Sequence, residues 1–359
     1  MKHTTILVLA GAGLFAAGQS LDTDYAQERA FRIETETVIS METTHFEVER
    51  DGEPMNFGGG GGGGTEESMT SVVIDTVLEH EGGKPMRVQR VFEELAADLS
   101  MSMRGETMDM ESDCPLSGCS LEITVDEDGE TSAEIVDGDE PDDDTMLEGH
   151  HAALALDALL PSEDVEEGDS WTLEPQAVRR ALGVDLRRKL FPRPRPEGGG
   201  GGGEERGRGG RRGGRSRAGG GGSVFALAEW EGEATLSSME DEYDDMPCAL
   251  IELTFSAAGD MPEPEPRERG EGRRGRMPVM TRAAAPLFES EYEIEIKGRL
   301  YVSLEENRPV AAEFEGSMLT DQRTERERGE SVMVMSMTRE GTYERTVTVS
   351  AVALEKDAD

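Results

Sequence analysis

At 359 residues the chain is long enough for one large domain or two ordinary ones, yet only 35% of it is hydrophobic and 5% aromatic. That composition excludes a thick multilayer core and points to thin packing, such as one sheet covered on one face. With 36 basic residues against 77 acidic ones the formal net charge is −41, which keeps a chain soluble and argues against a polyanionic partner for the body as a whole.

The amino terminus reads as a targeting segment. Lys2 and His3 make a short positive start, Thr4 to Gly18 is apolar and small, and Ala16-Ala17-Gly18 offers small residues for cleavage. Residues 1–20 are therefore taken as a signal peptide, with cleavage expected between Ala17 and Leu21, and 21–359 as the mature chain. The apolar run is too short to cross a bilayer comfortably, no Cys follows it, and no later stretch is longer. This predicts an exported protein, periplasmic or extracellular, with no membrane span in the mature chain.

Beyond it the dominant pattern is alternation with a period of two, the mark of strands with one buried face. Phe31, Ile33, Ile39 and Met41 fall on odd positions, whereas Phe46 and Val48 fall on even ones, so a long strand is expected with a bulge near Thr43–Thr44. Ser71 to Leu78 and Arg87 to Phe92 read as strands around a turn at 80–85. Leu121, Ile123 and Val125 alternate before a turn at Asp126–Gly129.

The middle changes character. Met146 to Leu160 is rich in Ala and Leu and predicts a helix ended by Pro161. Pro175 to Phe191 predicts a second, with Pro175 in the first turn and Arg187, Arg188 and Lys189 at the carboxyl end. Alternation then returns. Ala226, Ala228, Trp230 and Leu236 share one parity, and Ala249, Ile251, Leu253 and Phe255 another, across an acidic turn. Phe288 to Leu304, Val310 to Leu319, Ser331 to Thr338 and Tyr343 to Leu354 complete the set, the last two joined at Arg339-Glu340-Gly341. Successive strands with short turns make an antiparallel meander.

Low-complexity segments at 55–66, 192–222 and 259–285 interrupt this body and are expected to be disordered loops. The alternative is two β domains, 21–191 and 223–359. Arg206 to Arg215 resembles the arginine–glycine boxes of RNA-binding proteins, but it lacks interleaved aromatics and sits in an acidic chain, so it is read as linker and no nucleic-acid partner is expected. Gly58–Gly64 runs into Thr65-Glu66-Glu67 without the Lys of a phosphate loop.

Site chemistry is sparse. Cys114 and Cys119 flank Pro115-Leu116-Ser117-Gly118, a turn-forming spacing, and export favours oxidation, so a Cys114–Cys119 disulfide is predicted with Cys248 left as a buried thiol. A zinc pair lacks further ligands and a redox pair more usually has C-x-x-C spacing. The acidic clusters at 126–130 and 137–144 fail the EF-hand template at both ends. His150 and His151 are adjacent, not i, i+4, and read as one packed and one exposed residue at a helix start. No Ser sits in a G-x-S-x-G context. Neither catalytic residues nor a cofactor or metal site are assigned.

One segment carries a resemblance. Leu160-Pro161-Ser162-Glu163-Asp164-Val165-Glu166-Glu167-Gly168-Asp169-Ser170-Trp171 resembles the "LP…V..GD.W" segment of uncharacterised exported bacterial β proteins. Those are similar to lipoprotein-carrier-like half barrels, in which a curved antiparallel sheet wraps around helices. The resemblance implies a fold and no functional residue. The expectation is a mainly β protein, a curved antiparallel sheet or half barrel with two helices. The expected function is non-enzymatic binding of a hydrophobic or cell-envelope ligand on the concave face. The alternatives are a structural or interaction protein using its Gly/Arg loops, and an enzyme of unrecognised class.

Overall fold

The computed structural model describes residues 20, 21, 23, 25 and 29–352, apart from 56–61, 104, 113, 142, 193–221, 262–286 and 329–330. The expected signal peptide, the arginine–glycine box and most of the three low-complexity segments lie outside the described residues.

The protein is mainly β, a single curved antiparallel sheet that does not close. Its strands are β1 (Ala30–Arg50), β2 (Glu53–Pro54), β3 (Gly63–Glu81), β4 (Lys84–Met103), β5 (Glu106–Glu111), β6 (Ser120–Val125), β7 (Thr131–Asp137), β8 (Ser170–Leu173), β9 (Glu231–Tyr243), β10 (Met246–Asp260), β11 (Leu287–Ser303), β12 (Arg308–Arg328) and β13 (Ser331–Val352). The helices are α1 (Pro175–Ala181), α2 (Val184–Leu190) and α3 (Gly222–Leu227), and 3-10 turns occupy Asp144–Leu147 and Ala155–Leu159. The order across the sheet is β7-β6-β4-β3-β1-β13-β12-β11-β10-β9-β8, with β2 beside β1 and β5 beside β4. Two meanders run outward in opposite directions, and the first and last long strands pair at the seam, from Ala30↔Val352 to Arg50↔Met333. Strands from both sides of the 192–222 segment thus share one sheet.

This topology leaves β7 and β8 on opposite edges, so the connection between them must cross the sheet. It runs over the concave face: the first 3-10 turn meets β7, the second meets β12 and α1, and α1 meets β9. The cover and the sheet together close the core. Trp230, Tyr343, Phe31, Phe92, Phe255 and Phe314 are its largest fully buried side chains. Alternation on β10 and β11 follows the sequence: Ile251, Leu253 and Phe255 are buried, as are Tyr292, Ile294 and Ile296. The bulge on β1 falls between Thr43 and His45, where the parity changes. At the far end of the sheet Phe46, Met103, Met108, Met333 and Met335 are exposed, so the cover protects only part of the strands, the longest of which extend roughly 70 Å at about 3.3 Å per residue.

Five expectations are corrected. Residues 146–160 form no continuous helix but two short 3-10 turns, separated by a turn with Gly149 in a left-handed conformation (φ 81°) and a bend. Residues 175–191 form two helices because Gly183 adopts a left-handed conformation (φ 66°) between them. β13 runs unbroken through Arg339-Glu340-Gly341. There the strand needs glycine, since a Cβ at Gly341 would collide with the Ser40 carbonyl and the Met41 side chain of β1. Residues 222–227 are helical, so the last strand segment before the acidic turn begins only at Glu231. Finally, the low-complexity boundaries are too wide, because Gly63–Glu66 lie in β3 and Gly259–Asp260 in β10.

Candidate functional site

The cover is built by sequence features that stop helices early. Pro175 opens α1, the chain turns at Gly183, and α2 follows at once, its Arg187 N–H donating to the Gly183 carbonyl (3.1 Å). Gly183 matters for a second reason: a side chain there would lie 3.1–3.3 Å from the Arg345 guanidinium. The helix break therefore settles directly on a charged group rising from the sheet.

Between this cover and the sheet lies a cavity of about 150 Å³. Its floor is a set of cross-strand rows on β13, β1 and β3: Val349–Ile33–Val73, Val347–Thr35–Ser71 and Arg345–Thr37–Met69. Phe92 of β4 extends the floor, and Leu182, Val184 and Leu190 of the cover close it from above. The wall is apolar except for Thr35, Thr37, Ser71, Tyr343, His150 and five arginines: Arg90, Arg180, Arg187, Arg188 and Arg345. Among the described residues no Asp or Glu lines it, although the whole chain carries more than twice as many acidic as basic residues. Two wider depressions, of about 780 and 680 Å³, lie along other parts of the sheet and are bordered by carboxylates such as Glu289, Asp321, Glu293 and Glu295.

The arginines differ in how their charge is met. Arg90 of β4 faces Asp75 of β3 directly in register and grips it side-on through two parallel hydrogen bonds (Nε–Oδ1 2.7 Å, Nη2–Oδ2 2.6 Å), in a buried pair. Arg187 meets Glu67 at 2.5 Å. Arg180 donates to the Ala153 and Leu154 carbonyls (2.6 and 3.1 Å), and its Nε has no partner. Arg345 donates from Nη1 to the Thr37 hydroxyl (3.0 Å), its Nε is buried without a partner, and among the described residues no carboxylate forms an ion pair with it. Burial lowers the pKa of both Arg180 and Arg345.

Two histidines and a second network complete the surroundings. His150 is buried and His151 exposed, as expected, although neither starts a helix. The His150 ring sits between the Met146 carbonyl (Nε2, 3.3 Å) and Arg90 (Nδ1, 3.4 Å). Burial and the neighbouring Arg90 push its pKa down to about 3, so the ring is neutral, donating through Nε2 and accepting through Nδ1. Beneath the second 3-10 turn, Tyr25 and Thr23 donate to Asp157, and the Leu154 N–H donates to the Tyr25 oxygen (2.7 Å). Burial raises the pKa of both Tyr25 and Asp157. Among the described residues no group of three His, Cys, Asp or Glu converges to hold a metal.

Cys114 and Cys119 lie away from the cavity. The expected turn is present, closed by Ser117 N to Cys114 O (2.9 Å) and Cys119 N to Leu116 O (3.1 Å). No disulfide joins the two in the structure. The Cys119 sulfur faces the Pro115 and Asp139 carbonyls (3.7 Å each), against Gly138. The disulfide remains a proposal for the oxidised protein. Peptide mapping after export is expected to find Cys114 linked to Cys119, and a link from either to Cys248, buried on β10, would contradict it. The Gly168-Asp169 turn does start β8, and Trp171 packs against the core with its indole N–H on the Leu159 carbonyl (3.1 Å).

Sequence reasoning did not single out the cavity arginines, although a signal was present: Arg345 continues the core-facing parity of Tyr343, Val347 and Val349, a position where a strand normally places an apolar residue.

No known family and no curated protein matches the chain. Among solved structures it is similar over 93% of its length to a lipovitellin studied for its lipid–protein interactions (6% identity, TM-score 0.35), of which it spans only 26%. It is also similar to the outer membrane protein OprG from Pseudomonas aeruginosa (6% identity, TM-score 0.17, 91% of this chain and 99% of that one).

Proposed function

We propose that this chain is a non-enzymatic binding protein that holds a small hydrophobic ligand between the concave face of its sheet and the helical cover, in the cell envelope or outside the cell. The observation that supports this is the cavity above Ile33, Val73, Phe92 and Val347. A protein interior is normally filled to crystal density, and an empty space of this size, its floor largely apolar, destabilises the fold unless something fills it. A cavity of about 150 Å³ has room for a solute of roughly six heavy atoms. No helix among the described residues is long and apolar enough to cross a membrane.

Thr35 and Ser71 are paired across β1 and β3 on the cavity floor and neither is fully buried, so space stands above them. Ser71→Phe is expected to fill that space and keep the fold. Calorimetric titration with hexan-1-ol should show binding to the parent and none to the variant. A ligand at 100 times its Kd raises stability by about 2.7 kcal/mol, so the parent's Tm should rise with hexan-1-ol and the variant's should not. Equal responses from the two proteins would place the binding elsewhere and end this reading.

A further inference from the structure

The cavity wall is charged in the opposite sense to the rest of the molecule. Among the described residues five arginines and no carboxylate line it, in a chain whose net charge is −41. Arg90 and Arg187 are neutralised by Asp75 and Glu67. Arg345 is not: among the described residues its guanidinium meets neutral hydroxyls, those of Thr37 and Tyr343, and its buried Nε has no partner. Arg187, one helical turn beyond Gly183, has a buried Nη1 that is likewise unpartnered. Both guanidinium groups act electrostatically on the Tyr343 hydroxyl, so they share one neighbourhood. A buried cation without a counter-charge is strongly unfavourable, and so is a buried donor without an acceptor. An arginine fork is the side chain best shaped to take a carboxylate through two parallel hydrogen bonds.

We infer that the ligand is a small amphiphilic monocarboxylate, with its carboxylate accepting from Arg345 and Arg187 and its hydrocarbon part lying over Ile33, Val73 and Phe92. This rests on the hydrophobic-cavity reading and adds the head group. About six heavy atoms of space limits the tail to a short chain, or to the leading end of a longer one.

Hexanoate and hexan-1-ol share one tail and differ in charge, so they separate the two claims. Titrated into the full-length protein at pH 7 and low ionic strength, hexanoate is expected to bind at least tenfold more tightly than hexan-1-ol. In Arg345→Gln the ratio of the two affinities should fall to near one, and Arg345→Lys should restore part of the preference. If the parent binds hexan-1-ol as well as hexanoate, the anionic assignment is overturned and the hydrophobic cavity stands. If it binds neither, both fall together. An unchanged preference in Arg345→Gln would also overturn the assignment, because the arginine would not be reading the charge.

Discussion

Replacing Asp75 by alanine is expected to lower the unfolding free energy by about 3–5 kcal/mol, the penalty for stranding one partner of a buried ion pair. Asp75 is 2% exposed and sits on the core-facing parity of β3 between Val73 and Val77. Its carboxylate accepts from Nε and Nη2 of the Arg90 guanidinium. Arginine does not lose its proton in a protein, so Asp75→Ala leaves a full positive charge beside the apolar Phe92. The remaining polar contacts, the His151 carbonyl at 3.2 Å and the neutral His150 ring, do not offset it. Removing both charges together behaves differently: Asp75→Leu with Arg90→Met replaces the pair by apolar groups of similar volume and is expected to recover most of the loss. Urea unfolding of the parent, the single and the double variant measures this directly. A single-variant loss below about 1 kcal/mol would mean that water reaches Arg90, and the account of a dry cavity wall would have to go.

That pair also shows where the sequence is readable and where it is not. Period-two alternation located the long strands because one sheet face meets the core and the other meets water, and the parity change at Thr43–Thr44 located the bulge. Residues 146–160 misled for a physical reason. Their spacing suits a helix, but Gly149 takes a left-handed conformation (φ 81°) inside the run and breaks it. Its backbone groups are satisfied from outside instead: Tyr25 accepts from the Leu154 N–H, and Arg90 and Arg180 donate to the carbonyls of His151, Ala153 and Leu154. Such partners lie more than 25 residues away in sequence and leave no local pattern. At Arg339-Glu340-Gly341 the glycine looked like a turn, whereas it serves the close approach of β1. The site was legible only as an anomaly. Asp75, Arg90 and Arg345 each occupy a core-facing position in an otherwise apolar alternation, and a charge in such a place must be paired or await a partner. Which of the two holds depends on contacts between distant strands and helices.

Acidification is expected to weaken the fold through His150. The folded-state pKa of His150 is lowered to about 3 by burial and by Arg90, whereas in the unfolded chain an imidazole titrates near 6.5. Between those values the unfolded state binds the proton and the folded state does not, so stability rises with pH across this window and is lost as pH falls through it. Above about pH 6.5 the contribution is fully present. At about 1.4 kcal/mol per unit of pKa difference, the whole effect is on the order of 5 kcal/mol. Protonation at Nδ1 would set a second positive charge against Arg90, which is why the neutral ring is held so firmly. Asp157 works in the opposite direction, since burial raises its pKa and its protonated form favours the folded state. A single stability profile therefore mixes the two, and the variant His150→Asn separates them. Asparagine offers Arg90 an amide oxygen in place of Nδ1 and does not titrate. Urea midpoints measured at pH 7, 5 and 4 should converge for parent and variant as the pH falls, with the parent losing about 1.4 kcal/mol more per pH unit below 6. Parallel profiles would show that His150 takes up its proton without disturbing Arg90, and the neutral ring would no longer be part of how the cavity wall is held.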